Sequence, residues 1–205
     1  MKTQIFSFLI AVSVITFTAC NNNSEKSQKD STDTSGSSST ATDNANVPEE
    51  KPSFSNVDAK TAASINEIVA GYLNVKNGLA NDNSTEAANA AKSVMTALGK
   101  IDHAALPQDQ MKLYMDVADD LKEMAEHISE SDGKIDHQRE HFVMMSQDVY
   151  DLVKGFGTNQ PLYIDHCPMA NDNKGADWMS EKKEISNPYM GKKMPTCGTV
   201  QKVIK

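Results

Sequence analysis

The residues best suited to chemistry lie near the C-terminus, in two short runs rich in sulfur. The run "HCPM" places His166, Cys167 and Met169 within four residues, and "MPTC" places Met194 and Cys197 three residues apart. Thiolate and thioether sulfurs are soft, polarisable donors that favour Cu(I) or Ag(I) over hard cations. The sequence therefore predicts a soft-metal site for Cu(I) or Ag(I) in this part of the chain.

The two cysteines also allow interpretations that need no copper. Cys167 and Cys197 form an even pair, for which a disulfide is the default in an oxidising compartment. Such a bond would close a loop of about thirty residues and stabilise the fold by roughly 3 kcal/mol. A reducible pair can also supply thiolates when copper arrives as Cu(I), so both alternatives stay open. Zinc held by the two cysteines and a histidine is less favoured, because the methionines would then have no role.

A second group of candidate ligands lies in "HQREHF", where His137 and His141 are spaced i, i+4. This spacing puts both imidazoles on nearly the same face of a helix, and Met144 continues that face. We expect the two histidines to share a metal ion or to fold against the sulfur-rich loop. The alternative is that they are boundary residues hydrogen-bonded to solvent or backbone. His127 is a weaker candidate, and His103 is assigned no role.

The N-terminal residues are typical of an exported protein. An apolar run from Ile5 to Phe17 is too short for a spanning helix and leads into "FTAC", which resembles a bacterial lipoprotein signal. The resemblance implies a signal peptide over residues 1–19 and acylation of Cys20; an ordinary secretory signal cleaved nearby is the alternative. Residues 20–57 are polar and predict a disordered tether. We expect a lipid anchor in the cell envelope, at the periplasmic face of the outer membrane.

Four helical patterns follow, so residues 58–205 are expected to form one mainly α domain. Apolar residues recur at helical spacing on four segments separated by turn signals such as "NDNS" and "SESDGK". The second pattern includes Ile101, and Pro107 suits the first turn of the third helix. Short links favour a four-helix up-down bundle. From about residue 160, glycines and prolines predict a loop-rich Cys/Met segment, with short strands as an option, packed on the bundle.

Charge and motif content exclude several classes of function. The formal net charge is −8, and no block of basic residues provides the clustered positive charge that nucleic-acid binding requires. A covalent c-type haem needs C-x-x-C-H, which the sequence lacks. No nucleophile–base pair or carboxylate pair stands out, so we expect no enzymatic activity.

The stretch from Tyr163 to Gly198 resembles the signature of an exported family of unknown function. Members of that family occur as small lipoproteins and as C-terminal additions to adaptor subunits of copper/silver RND efflux pumps. "Y-x-x-x-C-P-M" is also similar to the heavy-metal-binding motif of such adaptors and of copper-transporting ATPases. "HQREHF" is similar to the upstream helical motif of the family. The resemblance covers about residues 59–203.

The resemblance implies a specific set of ligands and a role. It points to a sulfur site with two histidine helpers, formed by Cys167, Met169, Met194 and Cys197 with His166 and His141. It also implies a link to copper/silver efflux or copper-delivery proteins, here as a separate periplasmic copper chaperone or tolerance factor. The alternative is a disulfide-stapled protein-interaction module that binds no metal. Redox sensing by the same cysteines is a third interpretation, and it requires accessible thiols of lowered pKa.

Overall fold

The computed structural model describes residues 47–205. The predicted signal peptide, the predicted acylation site Cys20 and most of the predicted tether lie outside the described residues. In the described part of the chain, no helix combines the length and apolar character needed to cross a membrane.

Four long helices form the body of the domain, and this confirms the predicted mainly α fold. In chain order they are α1 (Ala59–Ala80), α2 (Ser84–Leu98), α3 (Gln108–Glu130) and α4 (Ile135–Phe156). The connections between them are short and consecutive helices pack side by side, so the chain runs up and down through the bundle. Their apolar stripes meet in one core, in which Ile68, Leu121 and Phe142 are completely buried.

The starts of the first two helices follow from local capping chemistry. The Asp58 carboxylate accepts hydrogen bonds from the backbone N–H groups of Lys60 at 2.9 Å and Thr61 at 3.0 Å, which caps α1. Asn83 and Glu86 form a reciprocal cap on α2. The Glu86 N–H donates to Asn83 Oδ1 and Asn83 Nδ2 donates to Glu86 Oε2, both at 3.1 Å.

The predicted second helix was too long at its C-terminal end. Ile101 lies beyond α2, because the helix stops at Gly99. Ile101 is nevertheless only 8% exposed, so its apolar side chain packs from a connecting loop rather than from a helix face. Pro107 directly precedes α3, where its fixed φ and missing N–H group are tolerated.

The contact between α1 and α2 depends on two glycines. A Cβ atom added to Gly78 would lie 2.7 Å from the backbone nitrogen of Ala87, and one added to Gly71 would lie 2.8 Å from a methyl group of Val94. Ala87 and Ala91, which α2 contributes to this contact, are completely buried. Small residues on both helices therefore allow the two backbones to approach closely.

We expect Gly78→Ala to lower the free energy of unfolding by about 1–3 kcal/mol, because the added methyl group meets backbone atoms that cannot move aside. The matched control is Gly99→Ala. At Gly99 the nearest atom lies 3.6 Å from the added Cβ and φ is −64°. That change is expected to be neutral or to add about 0.4–1 kcal/mol. Urea unfolding measures both variants, and equal stabilities would contradict the close packing of α1 on α2.

The C-terminal segment, residues 162–205, forms most of a small sheet. Its strands are β2 (Leu162–Cys167), β3 (Ala176–Ser180) and β4 (Thr199–Ile204), and β2 pairs antiparallel with both of the others. The register between β2 and β4 shifts at a bulge between Ile164 and Asp165. The short strands that the sequence left as an option are therefore present, with loops between them.

An additional strand comes from a stretch predicted to be tether. β1 (Glu49–Glu50) pairs parallel with β4 and completes the sheet order β1-β4-β2-β3. The Glu50 carboxylate also contacts Lys202 Nζ at 2.7 Å and accepts a hydrogen bond from the Tyr150 hydroxyl at 2.9 Å. The ring of Phe54 packs edge-on against Phe156, with centroids 5.2 Å apart. The packed domain thus begins before residue 58, because the free edge of β4 takes a backbone partner.

A buried network of hydroxyl groups joins the sheet to the bundle. The Tyr72 hydroxyl on α1 lies 3.0 Å from Ser146 Oγ on α4 and accepts a hydrogen bond of 2.9 Å from the backbone N–H of Met179 on β3. The Tyr189 hydroxyl donates to the carbonyl oxygen of Asp177 at 2.6 Å and lies 3.3 Å from Ser146 Oγ. Two helices, one strand and the loop before β4 are therefore held together by hydrogen bonds, three of which are fully buried.

Candidate metal centre

The two sulfur-rich runs meet at one end of the sheet. Cys167 is the last residue of β2, Cys197 lies just before β4, and their Cα atoms are 5.8 Å apart. That separation is typical of a disulfide, and in the structure the two sulfurs form a disulfide bond. Cys167 is completely buried, whereas Cys197 is half-buried. An attacking thiol therefore has a more open approach to the sulfur of Cys197.

The loop that carries Cys197 is positioned by Asn187. This buried amide donates to the carbonyl oxygen of Cys197 at 2.6 Å, and its backbone N–H donates to the carbonyl oxygen of Pro195 at 2.9 Å. The chain then passes over the indole of Trp178 at Gly198, whose φ is 142°. A Cβ there would lie 2.8 Å from the ring, so a glycine is required for this approach.

The two methionines predicted as ligands flank the cysteines along the chain. Met169 follows Cys167 by two residues and is 45% exposed. Met194 is half-buried, and its carbonyl oxygen accepts a hydrogen bond of 3.2 Å from the N–H of Cys197. All four sulfur-bearing residues thus belong to the two short runs that the Cys167–Cys197 bond joins.

A left-handed turn follows Met169. Asn171, Asp172 and Asn173 have φ values of 51°, 55° and 63°. Asn and Asp tolerate this conformation better than other non-glycine residues because their side chains form local hydrogen bonds. The turn reverses the chain between β2 and β3 and leaves Met169 at the surface.

His166 lies apart from the sulfur pair. Successive residues of a strand point to opposite faces, so His166 and Cys167 face opposite sides of the sheet. The Nδ1 atom of His166 is 2.6 Å from an oxygen of Asp177, its partner across β2 and β3. The imidazole of His166 therefore contacts the Asp177 carboxylate and does not point towards the cysteines.

The histidines of α4 also lie away from the sulfur segment. Arg139 Nε donates to the carbonyl oxygen of Pro188 at 2.8 Å, so this side of α4 faces the C-terminal segment. His137 and His141 are each two residues from Arg139, which places them about 200° around the helix. They face α3 instead, where the His141 ring stacks on that of His127 with centroids 4.4 Å apart. The structure thus separates the predicted histidine and sulfur ligands into two places.

The three histidine rings form a compact cluster. Nε2 of His137 lies 3.2 Å from Nε2 of His141, and Nδ1 of His137 lies 2.9 Å from an oxygen of Glu140. Partial burial, together with the nearby His127 and His137, lowers the pKa of His141 below its usual value. A neutral imidazole is the form that ligates metals.

From the sequence alone, His127 was only a weak candidate ligand. Its distance from the turn between α3 and α4 nevertheless indicates that it lies near the histidines of α4. The turn between α3 and α4 spans residues 131–134, so His127 stands four residues before it and His137 three residues after it. In an antiparallel helical hairpin, positions at similar distances from the turn lie side by side. Among the described residues, no three His, Cys, Asp or Glu side chains are already arranged as a metal-binding group.

Comparison with known proteins gives a match for only part of the chain. Residues 68–161 match the family model described as Protein of unknown function (DUF3347). The match begins within α1 and ends before β2, so it includes His127, His137 and His141 but not the sulfur-bearing residues. No curated protein matches the chain. No solved structure matches it either.

A buried acid on β2 was not predicted. Asp165 is completely buried, and neither of its carboxyl oxygens has a hydrogen-bond donor among the described residues. Burial raises the pKa of Asp165 to about 8, although the positive charge of Lys76 opposes the shift. Trp178, directly across the sheet from Asp165, likewise has no acceptor for its indole N–H. The carboxyl group is therefore largely protonated in the folded protein at neutral pH.

This raised pKa predicts a pH-dependent cost to stability. The unfolded chain loses the Asp165 proton near pH 4, whereas the folded chain keeps it until about pH 8. Between those values the unfolded state binds fewer protons, so stability falls as pH rises, by at most about 1.4 kcal/mol per pH unit. We expect Asp165→Asn to remove this pH-dependent loss of stability. The free energy of unfolding of the variant should therefore rise relative to that of the wild type as pH rises from 4 to 8.

Urea unfolding at pH 4.5, 6 and 7.5 measures this difference. Asp102→Asn, which changes an exposed carboxylate outside the sheet, serves as the control and should run parallel to the wild type. A difference between Asp165→Asn and the wild type that stays constant with pH would contradict the protonated buried carboxyl.

Proposed function

We propose that this protein is an envelope lipoprotein that binds Cu(I) or Ag(I) through the sulfurs of Cys167, Met169, Met194 and Cys197. In this role it acts as a copper chaperone or copper-tolerance factor. The observation that carries the proposal is the meeting of the "HCPM" and "MPTC" runs at one end of the sheet, where the two cysteine Cα atoms are 5.8 Å apart. Two thiolates and two thioethers at one place form a soft donor set.

Metal binding requires the cysteine pair in its reduced form. A dithiol donor reduces the Cys167–Cys197 bond by thiol–disulfide exchange, becoming a disulfide itself while the two cysteines gain two electrons and two protons. Cu(I) then displaces the thiol protons and binds the thiolates. The half-buried Cys197 is the accessible sulfur for the first attack, and the buried Cys167 is the leaving group.

The methionines suit exchange of the metal with a partner. Met169 is 45% exposed at the rim of the site, so an incoming carrier can contact its thioether before the buried thiolate. The thioether is a weaker ligand than the thiolate, and replacing it first lowers the cost of transfer. The proposed partners are a copper/silver efflux system or a copper-delivery protein, and a lipid on Cys20 would hold the domain near the membrane.

A disulfide-stapled interaction module that binds no metal is the second candidate. One observation favours it: the Cys167–Cys197 bond fastens the loop before β4, which carries few apolar residues, to the end of β2. In that case the bond is permanent and the methionines contact a partner protein.

Anaerobic Cu(I) titration of the reduced full-length chain, in detergent and against a chromophoric competitor, tests the proposal. We expect one Cu(I) per chain, with affinity at least tenfold lower in Met169→Leu/Met194→Leu because two thioether ligands are lost. Leucine preserves the volume and apolar character of each side chain. Native mass spectrometry measures the stoichiometry.

The matched control is Met115→Leu/Met95→Leu, which changes one exposed and one half-buried methionine on the helices. Its affinity for Cu(I) should equal that of the wild type. A folded, fully reduced protein that binds no Cu(I) would overturn the proposal and favour the interaction module. Equal losses in the two double variants would also contradict the assigned ligands.

A further inference from the structure

We propose a second metal site, formed by His127, His137 and His141 in the seam between α3 and α4. Its ligands are imidazole nitrogens, so the metal it takes is a borderline divalent cation of the class of Zn²⁺, Cu²⁺ or Ni²⁺. The site is independent of the soft-metal function proposed above, because it contains no sulfur and does not involve the cysteine pair.

The spacing of two nitrogen atoms carries the proposal. Nε2 of His137 and Nε2 of His141 are 3.2 Å apart. A metal ion bonded to both at about 2.0–2.1 Å would subtend an angle of roughly 100°, close to the tetrahedral value. The i, i+4 pair on α4 therefore presents two ligands at chelating distance without any movement of the helix backbone.

A neighbouring carboxylate favours one tautomer of His137. Its Nδ1 lies 2.9 Å from an oxygen of Glu140, which favours the tautomer with the proton on Nδ1. The Nε2 lone pair can then accept a hydrogen bond from the Nε2–H group of His141 or bind a metal. Metal-bound histidines commonly donate their second N–H to a carboxylate in this way, which fixes the ring and strengthens the ligand.

His127 supplies the third nitrogen from the facing helix. Its ring lies parallel to that of His141, with an interplanar angle of 7° and centroids 4.4 Å apart. Its Nε2 atom lies 3.6 Å from an oxygen of Glu123. The proposed site requires this exposed ring to rotate about its side-chain bonds, so that one of its nitrogens joins those of His137 and His141. The side chains of His127 and His137 are 45% and 46% exposed, so a cation and a water ligand have access from solvent.

The seam is also electrostatically suited to a cation. Glu123 and Glu140 each contact one of the histidines. Asp148 lies two helical turns beyond His141 on the same face of α4, and burial together with the nearby Asp120 raises its pKa to about 6. The negative charge of these carboxylates attracts a cation to the seam.

Calorimetric titration of the metal-free full-length chain with Zn²⁺ at pH 7.5 tests the site. The Cys167–Cys197 disulfide is kept intact, so that the sulfurs are not available as ligands. We expect one Zn²⁺ per chain, at least tenfold weaker binding after either His137→Gln or His141→Gln, and weaker binding after His127→Gln. Glu140→Gln should also weaken binding, by about 10–100-fold, because it removes the carboxylate that orients His137.

The control is His103→Gln, which removes a histidine in the connection between α2 and α3 and should leave Zn²⁺ affinity unchanged. Long-range proton–nitrogen NMR of the imidazoles provides a readout that does not depend on variants. Added Zn²⁺ should shift the Nε2 signals of His137 and His141 but not those of His103. No binding by the wild type at 1 mM Zn²⁺, or full affinity in His137→Gln/His141→Gln, would overturn the proposal. Zn²⁺ binding that requires the reduced cysteines would also overturn it, without bearing on Cu(I).

Discussion

The structure depends on the attachment of the C-terminal sheet to the bundle, because the sheet is too small to form a core of its own. Trp178 is 1% exposed and packs edge-on to Tyr189, with ring centroids 5.9 Å apart, while the hydroxyls of Tyr72 and Tyr189 bond to Ser146 and to the backbone of β3. Each of these buried polar groups would cost about 1–3 kcal/mol if it were left unpaired. The network therefore holds β3 against the bundle, and the pairing of β2 with β3, in which Cys167 lies opposite Ala176, positions Cys167.

Two sides of helix α4 face different parts of the molecule, the C-terminal segment and α3. Arg139 faces the C-terminal segment, and its guanidinium also contacts Asp82 at 2.5 Å. His137 and His141 face α3. The proposed soft donor set and the proposed nitrogen donor set therefore share no ligand, and only the second includes residues of α4. Reduction of the Cys167–Cys197 bond would change the first proposed set alone, so the two proposed sites would respond to different conditions.

The sequence predicted the parts of the fold that depend on local information. The four helices follow from apolar periodicity and from caps such as Asp58 and Asn83, which act within a few residues. The sheet could only be named as an option, because its pairing joins distant residues and Glu49–Glu50 is a two-residue strand in a polar stretch. The type and spacing of the sulfur residues made them candidate ligands. Their separation from the histidines, and the place of His127 beside His141, depend on how the helices pack.

We propose that the sulfur segment, and not the histidine cluster, binds Cu(I). X-ray absorption at the copper edge of the reduced full-length chain, loaded anaerobically with one equivalent of Cu(I), tests it most directly. We expect a first coordination shell of sulfur, since thiolates and thioethers are the preferred ligands of this ion. A first shell dominated by imidazole nitrogen would contradict it.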